Sequence, residues 1–299
     1  QPAARPRIRP VRRPRPWAQH SGRDKFGVRL EFDRKGARFV WRWILRGRFT
    51  MGSLAGEAGR YDDEGPQHEV TLTRGYWLGA TPCTQAQWEA VMGWNPSEFK
   101  GPDRPVENVS WEDCQEYCVA LNALSPGLGA RLPGEAEWEY ACRAGKQTAF
   151  NDGSPCSVPE GADPALDRLG WYTENSGGET HPGGKKVANA WGLYDMHGNV
   201  WEWCWDWFGN YGREEQIHPA GPKSGVLRVI RGGGWFDDPR NCRSADRDWG
   251  GPGFRDRFLG FRLAAGQELK SKSGDGVRGL AEKAERDAEP KGQPARGVG

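Results

Sequence analysis

The 299 residues contain no run of eighteen apolar side chains, so no segment reads as a membrane-spanning helix. No basic-then-apolar leader opens the chain, and a secretory signal is not expected; Gln1 is compatible with a longer parent chain. Histidine is scarce, at five. No H-x-x-x-H or H-E-x-x-H pair occurs, so a catalytic zinc or iron triad is not encoded locally. P-loop, dinucleotide and G-x-S-x-G signatures are missing as well. Cys83, Cys114, Cys118, Cys142, Cys156, Cys204 and Cys242 are odd in number and include no C-x-x-C. That argues against a disulfide framework and a structural zinc site. The thiols are expected as small buried side chains in a reducing compartment, with cytoplasm as the default location. The net charge of +2 leaves no global footprint for nucleic acid.

What is abundant is glycine, at 43, and tryptophan, at 16. Bulky rings joined by glycine-rich turns indicate a core stacked from irregular segments rather than long helices. "RPRIRPVRRPRP" interleaves six arginines with proline between Arg5 and Arg15. It reads as a solvated tail, either a linker or an anchor for phosphates or acidic lipid. Three regions follow: a tail over 1–25, one domain over 26–265, and a charged tail over 266–299 with a frail helix near Val277 to Ala288.

Within the domain, "GVRLEF" and "ARFVWRWI" have the composition of a paired hairpin, and "HEVTLTRGYWLG" reads as further strand. "TPCTQAQWEAVMG" carries a capping box, Thr84 with Gln87, and a stop at Gly93. "VSWEDCQEYCVALNAL" repeats the scheme from Ser110, placing Cys114, Cys118 and Leu121 on one face. The i,i+4 cysteines suit core packing better than metal. "LPGEAEWEYACRAG" predicts a helix starting at Pro133 and stopping at Gly145. Beyond it, to Ala264, the sequence reads as loops and short strands.

"FTMGS", "PVENVSW", "RLPGEAEWEYACRAG", "WGLYDMHGNVWEW", "RVIRGGGW" and "LGFRLA", in that order, resemble the formylglycine-generating-enzyme (sulfatase-modifying factor) family. The resemblance runs from about Arg38 to Ala265 and implies a single α+β domain with a C-type-lectin-like fold and little regular secondary structure. It also implies a structural calcium site built from Asp195, the carbonyls of Gly198 and Val200, and Glu202, an oxygen set that suits a hard cation. The alternative is that Asp195 and Glu202 simply hydrogen-bond the loop. His197, in the same turn, is a poor calcium ligand and is expected to be packed or solvent-facing.

Enzymes of the family use two cysteines shortly after the R-G-G-S motif to bind copper as a linear dithiolate and oxidise a substrate cysteine. In "RGGGWFDDPRNC" only Cys242 is present, with Asp237 and Asn241 near where thiols fall. Copper and oxidase activity are therefore not expected, and the copper-dependent formylglycine-generating oxidase remains the alternative reading. Arg243 beside Cys242 would lower an exposed thiol's pKa; a buried thiol is the blander reading.

From Arg231 to Phe261 two residue sets alternate. Arg231, Gly232, Gly233, Trp235, Pro239, Arg243, Ser244, Arg247, Arg255, Gly260 and Phe261 look like scaffold. Between them lie Phe236, Asp237, Asp238, Asn241, Asp246, Asp248, Gly251, Gly253, Phe254, Asp256, Arg257 and Phe258. All twelve are reachable from an asparagine codon by changing its first two bases. Adenine-directed mutagenesis leaves that mark, and the segment resembles the variable proteins of bacterial diversity-generating retroelements. The expected function is non-catalytic binding of a protein or small-molecule ligand at a C-terminal loop surface. Its candidate residues are Trp235, Phe236, Asp237, Asp238, Asn241, Asp246, Asp248, Trp249, Phe254, Asp256, Arg257 and Phe258. Its aspartates favour a basic or amide-rich partner over nucleic acid.

Overall fold

Alternating burial along Ala37–Ile44, with Ala37, Phe39 and Trp41 inward, sets the first layer of the protein. The computed structural model describes residues 18–266; the arginine-rich stretch and the helix expected near Val277 lie outside the described residues. In chain order the strands are β1 His20–Asp24, β2 Gly27–Arg34, β3 Ala37–Ile44, β4 Gly47–Met51, β5 His68–Leu72, β6 Tyr76–Gly79, β7 Ala130–Arg131, β8 Trp201–Trp207, β9 Gln216–Ile217, β10 Arg228–Arg231, β11 Asp248–Gly250, β12 Leu259–Gly260 and β13 Ala264–Ala265. The helices are α1 Gln85–Met92, α2 Trp111–Leu124, α3 Glu135–Arg143 and α4 Leu166–Leu169.

Three sheets result. One runs β1-β2-β3-β6-β13-β7, one β11-β10-β8-β12, and one β4-β5-β9. The expected hairpin is β2 with β3, antiparallel, Phe32 opposite Phe39 with rings stacked 4.7 Å apart. Order begins earlier than expected: β1 pairs with β2 from His20, so His20–Asp24 belongs to the sheet rather than to a tail. "HEVTLTRGYWLG" splits into β5 and β6, which join different sheets.

The caps explain the helices. Thr84 and Gln87 form the reciprocal box of α1, which ends at Gly93 with φ 81°. Ser110 and Asp113 do the same for α2. Helix α3 starts later than Pro133, because Gly134 is its N-cap and Pro133 precedes it. Cys114, Cys118 and Leu121 enter the largest core cluster with Trp88, Tyr117 and Trp203, as packing residues. Between Arg143 and Trp201, α4 is the only helix or strand among the described residues, and the fold is α+β with little regular structure, as expected.

Irregular backbone needs side-chain partners for its polar groups, and buried arginines supply many of them. Arg143 links Glu139 (2.8 Å) to the carbonyl of Gly52 (2.9 Å), and half-buried Arg131 links Glu137 (2.6 and 2.8 Å) to the carbonyl of Leu132 (3.0 Å). The same device recurs beneath the C-terminal segment.

Candidate binding surface

Strand β10 pairs antiparallel with β8 and β11, then the chain leaves the sheet at Gly232 (φ 104°) and Gly233 (φ 73°). A side chain at Gly233 would lie 2.6 Å from the Cys242 sulfur. That close approach requires glycine and folds the segment back on itself. Four arginines then point inward. Arg231 bonds Glu139. Arg243 bonds Glu64 and, at 2.8 Å, Glu57. Arg247 clasps Glu135 at 2.6 and 2.9 Å, and Arg262 clasps Glu202 at 2.7 Å through both oxygens. Each ties this segment to a carboxylate far away in sequence.

The outward residues form an aromatic face. Phe236 is 42 % exposed and Phe254 43 %. Half-buried Phe258 lies between them, 4.7 Å from Phe236 and 6.4 Å from Phe254. Trp235 is a correction to the expected set: only 7 % exposed, it is the floor of the face rather than a projecting anchor. Its ring packs at 5.4 Å on both Phe99 and Phe236. Arg257, exposed, lies over Trp235 and pairs with Glu98 at 3.0 Å. Trp249, 46 % exposed, packs on Phe208 with ring centres 4.7 Å apart and planes tilted by 45°, beside that face.

The polar members divide. Asp238, Asn241, Asp248 and Asp256 are half-buried. Asp238 precedes the turn Pro239–Cys242 without capping it and accepts the Gly161 N–H at 3.3 Å, while Asn241 reaches the Tyr61 hydroxyl at 3.5 Å. Asp248 accepts the Trp249 N–H at 2.7 Å. Asp256 accepts the Asn108 and Leu259 N–H groups through its carbonyl. Asp237 turns one oxygen inward, to Trp201 Nε1 (2.7 Å) and the Gly234 N–H (2.8 Å). Burial, with the nearby charges of Asp248 and Asp238, pushes its carboxyl up to about 7. Asp246 is a second correction. It is fully buried, neither oxygen has a hydrogen-bond partner among the described residues although Arg243 lies 3.7 Å from Oδ1, and burial raises its carboxyl well above the usual range. It belongs to the interior, held there because Arg231 grips its backbone carbonyl. Arg255, expected as scaffold, is exposed and pairs with Asp113 at 2.6 and 2.7 Å.

Phe99, Glu98 and Tyr61 join this surface from distant segments. "SEFK" and "RYDD" have no period or motif that announces it; an isolated aromatic among charges is the only signal.

Cys242 is fully buried and its thiol is raised well above the ordinary value, by burial first and then by Asp237 and Asp246. Arg243 does not activate it, since its guanidinium is committed to Glu57 and Glu64. Cys156 shares a small core cluster with Cys242, and burial pushes its thiol to about 11. All seven cysteines are buried and free.

The two carboxylates expected to hold calcium beside the carbonyls of Gly198 and Val200 are engaged by other partners. Both oxygens of Glu202 serve Arg262, and one also accepts Trp138 Nε1 at 2.7 Å. Arg262 reaches the carbonyls of Tyr194 (3.0 Å) and Asp195 (3.3 Å) as well. Asp195 accepts the Gly184 N–H at 2.8 Å, and burial pushes its carboxyl up to about 6. The positive charge inside this turn is thus a guanidinium, and the set as arranged does not fit a calcium ion. Among the described residues no group of three or more His, Cys, Asp or Glu side chains is placed to hold a metal. His197 is fully buried, joins the carbonyl of Cys242 at 2.7 Å, accepts the Asn151 N–H at 3.2 Å, and is depressed by burial to about 4.

Residues 34–267 match the sulfatase-modifying factor enzyme 1-like domain. The chain belongs to that family. Three similar proteins carry three different descriptions. The chaperone protein LppX of Paenibacillus barcinonensis is 35% identical over 56% of this chain and 71% of its own length. The formylglycine-generating enzyme of Bos taurus is 36% identical over 64% of this chain, which spans only 50% of that enzyme. Among solved structures, Treponema denticola variable protein 1 superposes with a TM-score of 0.69 at 31% identity, over 79% of this chain and 98% of its own. Family membership therefore gives the fold of this chain and leaves its activity to be argued from the site.

Proposed function

We propose that this chain is a non-catalytic binding protein that displays the face formed by Phe236, Phe254, Phe258, Trp249 and Arg257, floored by Trp235 and edged by Asp237, Asp238, Asn241, Asp248 and Asp256. The observation that carries the proposal is the division of one segment into buried arginines paired to remote carboxylates and exposed rings that touch mainly each other. Aromatics on a rigid base are efficient interface anchors because little side-chain entropy remains to be lost. The acidic edge favours a basic or amide-rich partner, a protein or a small ligand. Likeness to a variable protein supports the further reading that the twelve asparagine-codon-related positions are diversified; a matching adenine-biased repeat beside the gene is the expected trace, and its absence would remove that part.

The test is selection from a random peptide library on the immobilised, reduced protein, with Phe236→Ser/Phe254→Ser in parallel. Enriched sequences should be rich in Lys, Arg, Asn or Gln and should lose binding to the double variant. Enrichment unaffected by the variant would overturn the reading.

The oxidase alternative draws support from the identity to formylglycine-generating enzymes and from Cys156 lying in the same cluster as Cys242. Titration of Cu(I) against a competing chelator, with Cys242→Ser alongside, separates the two. The binding reading expects no stoichiometric copper beyond that of the variant; tight binding lost in Cys242→Ser would restore the enzyme.

A further inference from the structure

A cavity of about 250 Å³ opens between the end of β8, the start of α3 and the loop over 209–222. None of its lining residues belongs to the aromatic face. Its lining mixes polar groups, Asp206 among them, with apolar ones that include Met51, Trp207, Pro219 and Pro222. Asp206 is 3 % exposed. Its Oδ2 accepts the backbone N–H of Glu135 at 2.7 Å, while its Oδ1 makes no hydrogen bond among the described residues.

The charged neighbours of Asp206 are occupied. Glu135, on the same wall, is neutralised by Arg247 and accepts the Tyr211 hydroxyl at 2.9 Å. Arg228 of β10 is held between tryptophans, 3.4 Å from the ring centre of Trp207 and 3.7 Å from that of Trp111, and donates to the carbonyl of Trp205 at 2.6 Å. Asp206 is thus a buried carboxylate with one unbonded oxygen facing the cavity and no salt bridge among the described residues; Arg228 opposes its charge only from a distance. A guanidinium is a poor match, because its fork binds best to two coplanar acceptors and only one is available. An ammonium is not tied to paired acceptors: one of its three N–H donors can make the ion pair, and Met51, Trp207, Pro219 and Pro222 suit its alkyl stem.

We propose that this cavity binds a primary alkylammonium group, from a free amine or a lysine side chain, with Asp206 Oδ1 as its counter-ion. Burial, then the charges of Glu135 and Glu137 on α3, push the vacant carboxyl up to about 7, opposed by Arg228. Arg247, Tyr211 and His68 of β5 complete the titratable groups around the cavity. Asp206 is protonated below that value and ionised above it, while an alkylamine remains cationic, so affinity rises with pH up to about 8 and then levels.

The test is calorimetric titration of the reduced full chain at pH 8 with n-butylammonium chloride and, separately, with Nα-acetyl-lysine methylamide, against sodium chloride. One saturable site is expected for at least one probe. Butylammonium alone points to a free amine, and both probes to a lysine side chain. Binding should weaken about ten-fold or more in Asp206→Asn, which keeps an oxygen for the Glu135 N–H, and in Ala220→Trp, which fills the slot and leaves the Asp206 side chain in the sequence. It should also weaken at pH 6. Absence of a saturable site for both probes, binding unchanged in both variants, or equal affinity for n-butylguanidinium would overturn the assignment.

Discussion

Between Arg231 and Arg262 two sets of residues share one stretch of chain and obey different rules. Arg231, Arg243, Arg247 and Arg262 are buried, each fastened to a carboxylate from another part of the chain. Phe236, Trp249, Phe254 and Arg257 are exposed and rest on one another's neighbours, half-buried Phe208 and Phe258 and the floor ring Trp235, with no buried charge pair among them. The first set cannot change without stranding a charge. The second can change at little cost to the fold. That difference is why the stretch has neither helical nor strand period: its order comes from side-chain pairing, residue by residue.

The comparison can be broken at its strongest point first. Arg243→Ala leaves Glu57 and Glu64 without their partner, and a loss of about 3–5 kcal/mol is expected in chemical unfolding; a loss under about 1 kcal/mol would mean that the buried pairs do not hold the segment. Asp237→Asn has the opposite sign. The folded carboxyl titrates near 7, well above an unfolded aspartate at 3.8, so the wild type loses stability as pH rises from about 4 to about 7 and is level above. The amide escapes that loss and should gain about 1–2 kcal/mol at pH 8 relative to pH 4.5, after discount for partial exposure. Equal stability changes at both pH values would contradict the raised carboxyl. Phe254→Ala should cost no more than about 1 kcal/mol in the same assay, while it weakens any peptide selected on the aromatic face; a larger loss of stability would move Phe254 from the exposed set to the buried one. Removal of calcium with EGTA should shift the melting temperature by less than about 1 °C, since Arg262 already neutralises Glu202; a fall of several degrees would show that the turn at Asp195 holds an ion after all.

Features with local physics were legible in the sequence. The capping boxes at Thr84 and Ser110, the stop at Gly93 and the β2–β3 hairpin each depend on residues a few positions apart. The alternation after Arg231 also separates inside from outside for most of its members. Asp246 and Arg255 went the other way because their environments come from afar: Asp246 is enclosed near Arg231 and Arg243, and Arg255 reaches out to Asp113 on α2. The commitment of Glu202 to Arg262, sixty residues on, is equally invisible to any short motif, and so is Phe99 beneath Trp235.

The central claim is that the outer set is replaceable while the inner set is not. The most direct measurement is the thermal melt of one variant in which Phe236, Asp238, Asn241, Asp248, Trp249, Phe254 and Arg257 are all exchanged for serine. The account predicts a single cooperative transition within a few degrees of the wild type, about 1–2 kcal/mol of stability. Loss of the cooperative transition would contradict it, because the aromatic face would then be part of what folds the domain.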